Sequence, residues 1–364
     1  MGEFRLSEVL IVLSDAYFRQ SVPDVLTTPR ALAGLEQVTR FGSRSRLARG
    51  WRPEVMQWTG RPDLADEAPA TVAAAAFTAI AAGAPSSPIP RACWIATPVH
   101  LIASLTSVHL DRRGLLRLRE SDAVTLVEDF RTAFEGSDFQ MFAHRGELLL
   151  VGPPLTARTL EPSRALGMSL EEAVPEGSDA ARLRRLIAEM EMWLHGHALN
   201  TTREQRRELH ISSLWPWGGG SLGGCAPRAM DEAGRDQSRT TLDARARVAV
   251  FGPDAYLHGV AAVSEASLHD LPREIAPVLG YSSAARLCVR IEIGSMLQTH
   301  PGWTVLEAFT QIDERFIAPA VRALQAGSVS RLDLLANDVR FSVRGVDRLK
   351  RWRRVRPGLS GLLS

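Results

Sequence analysis

Only three cysteines occur in 364 residues, Cys93, Cys225 and Cys288. They are far apart, odd in number and outside CxxC spacing, which excludes a disulfide framework and a zinc knuckle and points to a reducing compartment. Neither charge is in excess. The 43 Lys and Arg stand against 41 Asp and Glu, a net charge of +2, so no global field commits the chain to nucleic acid or a membrane surface. No apolar run reaches the roughly 18 residues that span a bilayer. Met1-Gly2-Glu3-Phe4-Arg5-Leu6 lacks the order of a signal peptide, and Leu6 stands where a myristoylation signal wants Ser or Thr. A cytoplasmic location, with no membrane association, is the expectation. Internal repeats are also absent. The composition, 45% hydrophobic and 23% charged, is that of a globular chain able to bury a core without a metal or disulfide staple.

Strand-like and helix-like stretches alternate. Val9 to Leu13 is an apolar β-branched run stopping at Ser14-Asp15, the profile of a buried strand opening into a loop, where an acidic residue serves either chemistry or capping. Pro29 to Arg49 and the Ala-rich Ala70 to Ala82 read as helices, the latter stopped by Gly83-Ala84-Pro85. Cys93 to Leu101 reads as a strand interrupted at Pro98, with β-like sequence on to Leu110. Ser121 to Phe134 is an amphipathic helix with Ser121 at its N-cap, and His144-Arg145-Gly146 joins the strands of a hairpin. From Ser178 to Leu199 one stripe holds Leu183, Leu186, Ile187, Met190, Leu194 and His197, with Gly196 loosening the end. Later come strands over Arg245 to Phe251, Leu287 to Ile293, Arg331 to Leu335 and Val339 to Val343. Helices are read over Pro253 to Val263 and Thr304 to Ala326. The pattern predicts an α/β sheet with helices on both faces, as a single domain over 1–364 or one with an inserted subdomain around 90–175.

Three local groups could carry chemistry. In Ile211 to Gly220 two tryptophans, Trp215 and Trp217, precede Gly218, Gly219 and Gly220. Such a run lets backbone N–H groups approach a phosphate, or it is a loop anchored by buried Trp. No Lys-Ser/Thr pair follows, so it is not a P-loop. Just upstream, His195, His197, Asn200 and Arg203 gather at a helix end. Two His at i, i+2 face apart on a helix and could share a metal only if the helix ends between them. The C-terminus from Arg340 to Arg356 is basic around Trp352, either a solvated face or a phosphate-binding patch for nucleic acid.

Trp94 to Leu101, which contains His100, then Glu189 to Asn200, Arg203-Glu204 and Ser213 to Gly220 resemble the blocks of the bacterial RpfE-type regulatory proteins. The resemblance runs from Leu10 to near Trp352. The order His197-Ala198-Leu199-Asn200, Arg203, then Ser213 to Gly220 also resembles, more distantly, a block of the archaeal-type cofactor-independent phosphoglycerate mutases. That resemblance implies an alkaline-phosphatase-like sheet flanked by helices. An active member would need two divalent metals held by several Asp and His, with a Ser or Thr nucleophile.

This chain departs from that pattern. Ser14-Asp15-Ala16 replaces the Asp-Gly expected after the first strand, and His258, His269-Asp270 and His300 are scattered, the His269-Asp270 pair in an expected loop. The expectation is therefore a degenerate scaffold, a pseudoenzyme with no metal site and no cofactor, acting by binding rather than turnover. Its ligand would be a phosphorylated small molecule or a protein partner. The expected ligand-binding residues are Asp15, His100, His197, Asn200, Arg203, Trp215, Trp217, Gly218, Gly219 and Gly220. The alternatives are an active metal-dependent phosphomutase or phosphatase, and a nucleic-acid-associated regulator acting through the basic C-terminus.

Overall fold

Val9 to Leu13 is apolar at every position because both faces of its strand are covered, as in a parallel sheet. The computed structural model describes residues 6–17, 32–77, 91–225, 248–280, 284–349, 359 and 362. It is a mixed α/β protein with helices flanking two multi-strand sheets, and the chain divides into two compact units. The first comprises 1–65, 228–253 and 264–364, the second 66–227 and 254–263.

In the first unit β1 (Glu8–Leu13) is followed by α1 (Ala33–Phe41), β2 (Ser43–Arg46) and α2 (Arg52–Trp58). The second unit supplies α3 (Pro69–Ala74), β3 (Ala92–Ala103), β4 (Val108–Leu115), α4 (Glu120–Ala133), β5 (Gln140–His144), β6 (Glu147–Gly152), α5 (Ala180–His195), α6 (Ala198–Gln205) and β7 (Ser213–Ser221). Then come β8 (Val248–Phe251) of the first unit and α7 (Ala255–Val263) of the second. The first unit ends with β9 (Ser267–His269), α8 (Ala276–Leu279), β10 (Arg286–Ile291), α9 (Ile293–Thr299), α10 (Val305–Ile312), α11 (Ala318–Gln325), β11 (Arg331–Ala336) and β12 (Val339–Arg344).

The seven-stranded sheet of the first unit runs β2-β12-β11-β1-β10-β8-β9. Its five strands from β11 to β9 are parallel, and β12 and β2 close one side antiparallel. Val9, Ile11 and Leu13 pack with Leu35 and Val38 of α1 and with Phe309 and Ile312 of α10 in one core. The helix expected over Pro29 to Arg49 is in fact α1 followed by β2. The Ser-Arg-Ser-Arg side chains of β2 are exposed on an edge strand, which needs no apolar alternation to pair with β12. The helix expected over Thr304 to Ala326 is three consecutive segments. A capping box of Thr304 and Glu307 starts α10, and a π-turn over Asp313–Ile317 joins it to α11, where Pro319 supplies no N–H to the preceding turn. His269, expected in a loop, ends β9 and stacks on Phe251 at 4.9 Å.

The second unit's sheet runs β4-β3-β6-β5, with β7 on the other flank of β3, all antiparallel. Strand residues alternate between two cores: Cys93, Ile95, Trp215 and Trp217 in one, Trp94, Ala96 and Leu214 in the other. Pro98 does not interrupt β3. It falls where the flanking partner changes from β6, which ends opposite Ile95, to β4, which begins opposite Val99. There a missing N–H costs no bond of either ladder. The hairpin at Arg145-Gly146 is present, with φ of 50° and 80°. In place of the predicted Ser121 cap, α4 begins at Glu120 behind Arg119, whose carbonyl accepts from the Ala123 N–H. The long helix expected over Ser178 to Leu199 breaks at Gly196 into α5 and α6.

Residues 78–85 of the Ala-rich segment and its stop, residues 245–247, and 350–356 of the basic run lie outside the described residues.

Candidate functional site

The register that pairs Leu13 with Ile291 carries two chain ends out of the sheet side by side, so Asp15 and Ile293, each two residues further on, meet. Asp15 Oδ1 accepts the Ile293 N–H at 2.7 Å and Oδ2 the Gly294 N–H at 2.6 Å. Both oxygens thus serve the first turn of α9, whose leading N–H groups have no partner inside the helix. Beside them Glu292 pairs with Arg290 at 2.8 Å, and Arg290 also donates to the Pro253 carbonyl at 2.9 Å. Burial, and next the Glu292 carboxylate, push the Asp15 carboxyl up to about 7, opposed by the two N–H groups and Arg290.

Asp313 repeats the device. From the π-turn its carboxylate accepts the Gly34 and Leu35 N–H groups at 3.0 and 2.6 Å, fixing the start of α1.

A two-metal phosphomutase centre needs carboxylates and imidazoles converging on one point. Asp15 is engaged by backbone on both oxygens, Glu292 by Arg290, and His269 by Ser267 at 2.9 Å. Among the described residues no three His, Cys, Asp or Glu side chains gather as a metal would require. The described residues do not fit a metal pair.

In the second unit His197, Asn200, Arg203 and His100 are each engaged by neighbouring backbone or side chains. His197 caps α6: its Nδ1 accepts the Leu199 N–H at 3.1 Å, which leaves the proton on Nε2, 3.1 Å from Asp129. Asn200 donates to the Leu194 and Ile211 carbonyls at 2.9 and 3.0 Å and accepts the Ile211 N–H at 2.8 Å, tying the end of α5 to the approach to β7. Buried Arg203 donates to the Leu209 carbonyl at 2.8 Å and lies 3.3 Å from Glu208, while Arg206 pairs with buried Asp122 at 2.9 Å. Nδ1 of His100 donates to the His210 carbonyl at 2.9 Å.

The glycines belong to strand β7 rather than to a loop after it. A Cβ on Gly219 would stand 2.3 Å from Trp94 Nε1, and one on Gly220 2.3 Å from Thr71 Oγ1. Close packing on an indole and on α3 thus accounts for glycine at both positions. Trp217 donates to Thr97 Oγ1 at 2.7 Å and Trp215 to the Leu160 carbonyl at 2.9 Å.

Of the nominated residues Trp215 alone lines the cavity of about 180 Å³ found in this unit, beside Ser213, Pro216 and one stripe of α5. That stripe, Arg184, Ile187, Ala188 and Glu191, has i, i+3, i+4, i+7 spacing. Ile187, on the apolar stripe of the sequence, also packs against the core, while Arg184, Ala188 and Glu191 lie outside that stripe. In the structure Leu183, Leu186, Met190 and Leu194 form the buried stripe.

No protein-family model matches the chain, and no curated protein matches it. Solved structures similar to it include the following two. A cofactor-independent phosphoglycerate mutase from Thermoplasma acidophilum shares 14% identity, over 93% of this chain and 91% of that one, with a TM-score of 0.36. The PH0037 protein from Pyrococcus horikoshii shares 10% identity, over 94% of this chain and 88% of that one, with a TM-score of 0.45.

Proposed function

We propose that this chain acts by binding rather than turnover, as a regulatory protein of the RpfE type on a degenerate phosphoglycerate-mutase-like, alkaline-phosphatase-like scaffold. The observation that carries the reading is the state of Asp15. The acidic residue after the first strand, where the phosphomutase reading wants a metal ligand, spends both carboxylate oxygens on the α9 backbone at 2.7 and 2.6 Å. A metal on Asp15 would have to share both oxygens, in a site only 3% exposed, with two backbone N–H groups. The engagement of Glu292 by Arg290 supports the same reading. A phosphorylated small molecule or a protein partner is the ligand class proposed with it.

The test is a mutase and phosphatase assay of the purified chain in Mn²⁺. The expected result is no turnover above that of the buffer. Turnover that is lost in Asp15→Ala while the variant stays folded by circular dichroism would overturn the proposal.

A further inference from the structure

The cavity between α5 and β7 has the chemistry of a binding site different from the phosphate or protein site proposed above, and its argument does not depend on whether the chain is catalytic. Its volume, about 180 Å³, is of the size that accommodates one aromatic ring. Leu170, Val174, Ile187 and Pro216 give it an apolar wall. The Trp215 indole lines it and offers no free donor, because its N–H is held by the Leu160 carbonyl at 2.9 Å.

Into this apolar wall the sequence places one half-buried carboxylate, Glu191. Ser213, a residue only 2% exposed, lines the cavity with it, and among the described residues no cation pairs with Glu191. Desolvation by this setting raises the Glu191 carboxyl above the ordinary glutamate range. Arg184, the other charge of the stripe, stands seven residues earlier, about 10 Å along the helix axis, and is exposed. A carboxylate partly withdrawn from water in an apolar cavity suits a cation attached to an apolar body: the ammonium answers the carboxylate, and the ring or branched chain fills the cavity. An anion such as a phosphate would meet the wrong charge.

We propose that this cavity binds a compact apolar primary amine, with the ammonium on Glu191 and the apolar body against Trp215, Ile187 and Pro216. The experiment uses the full chain at pH 7.5 and three ring-matched probes, 2-phenylethylamine, 2-phenylethanol and phenylacetate, followed by ligand-observed NMR titration. The expected result is saturable one-to-one binding of the amine, at least about tenfold tighter than the alcohol, a ratio typical of one charge-assisted hydrogen bond. Phenylacetate should bind more weakly than both. Glu191→Gln should reduce the amine to the affinity of the alcohol. Ala188→Trp, at an exposed position of the lining, should fill the space and abolish binding of both. An amine that binds no better than the alcohol, a tighter anion, unsaturable binding, or amine binding unchanged in Glu191→Gln or Ala188→Trp would overturn the proposal.

Discussion

Asp15, Asp313 and Asp333 are buried carboxylates, and each holds two partners. Asp15 and Asp313 each take a pair of N–H groups at a helix start, whereas Asp333, 0% exposed on β11, takes Arg331 at 3.1 Å and Arg340 at 2.5 Å. Arg340 also reaches Glu54 at 2.8 Å, so this first residue of the basic C-terminal run is an internal partner, not part of a solvated patch. Removing one member of a buried ion network leaves the others uncompensated, and that loss outweighs the modest net worth of the intact pair. Asp333→Ala should therefore cost about 3 kcal/mol or more in urea unfolding. Arg344→Ala, at an exposed position of β12, should cost less than about 1 kcal/mol.

Among the elements, Gly219 inside β7 and Gly196 between α5 and α6 make opposite demands. Gly219 abuts Trp94, which is 1% exposed and held from all sides, whereas a Cβ on Gly196 would meet nothing within 4 Å. Gly219→Ala should lower stability by about 1–3 kcal/mol through overpacking. Gly196→Ala should stay within about 0.5 kcal/mol. Paired thermal melts of the two variants check the contrast.

The strands were legible where the pattern was local. The apolar run of β1, the hairpin at Arg145-Gly146 and the two C-terminal strands stand close to where the sequence places them. What was hidden depends on distant partners. Nothing near Ser43-Arg44-Ser45-Arg46 announces a strand, because its reason is the open edge of β12, some 300 residues later. Three glycines read as a phosphate-binding loop until the indole of Trp94 and the side chain of Thr71 are seen occupying the space of the missing Cβ atoms. Asp15 was legible as a residue at a strand end, but only the parallel register with β10 shows what its oxygens hold.

At the scale of the whole molecule, the chain crosses between its two units at 65–66, 227–228, 253–254 and 263–264. The return of α7 to the second unit is not readable from its own sequence. Its residues are apolar and buried nearly all round, which says that it is covered but not by what. Within that unit His258, 7% exposed, lies with its ring 5.2 Å from that of His144. Burial first, then His144, Arg145 and Arg117, push His258 down to about 4, opposed by Asp254.

The surroundings of His258 and of Asp15 should respond to pH in opposite senses. For His258 the folded pKa lies below the ordinary 6.5, so its stability is complete above 6.5 and is lost as pH falls toward 4, by up to about 3 kcal/mol. For Asp15 the folded pKa lies above the ordinary 3.8, so its stability is complete below 3.8 and is lost as pH rises toward 7. Hydrogen exchange followed by mass spectrometry, corrected for intrinsic rates, should show peptides around His144 and 255–263 losing protection between pH 7 and 5. Peptides covering β1 and the start of α9 should gain protection over the same range.

Calorimetric titration of Mn²⁺ into the purified chain distinguishes an Asp15 carboxylate committed to the α9 backbone from a metal ligand. A committed carboxylate gives no tight Mn²⁺ site, and heats indistinguishable between the natural chain and Asp15→Ala. Two sites per chain of about micromolar affinity or tighter, lost in the folded Asp15→Ala variant, would contradict it.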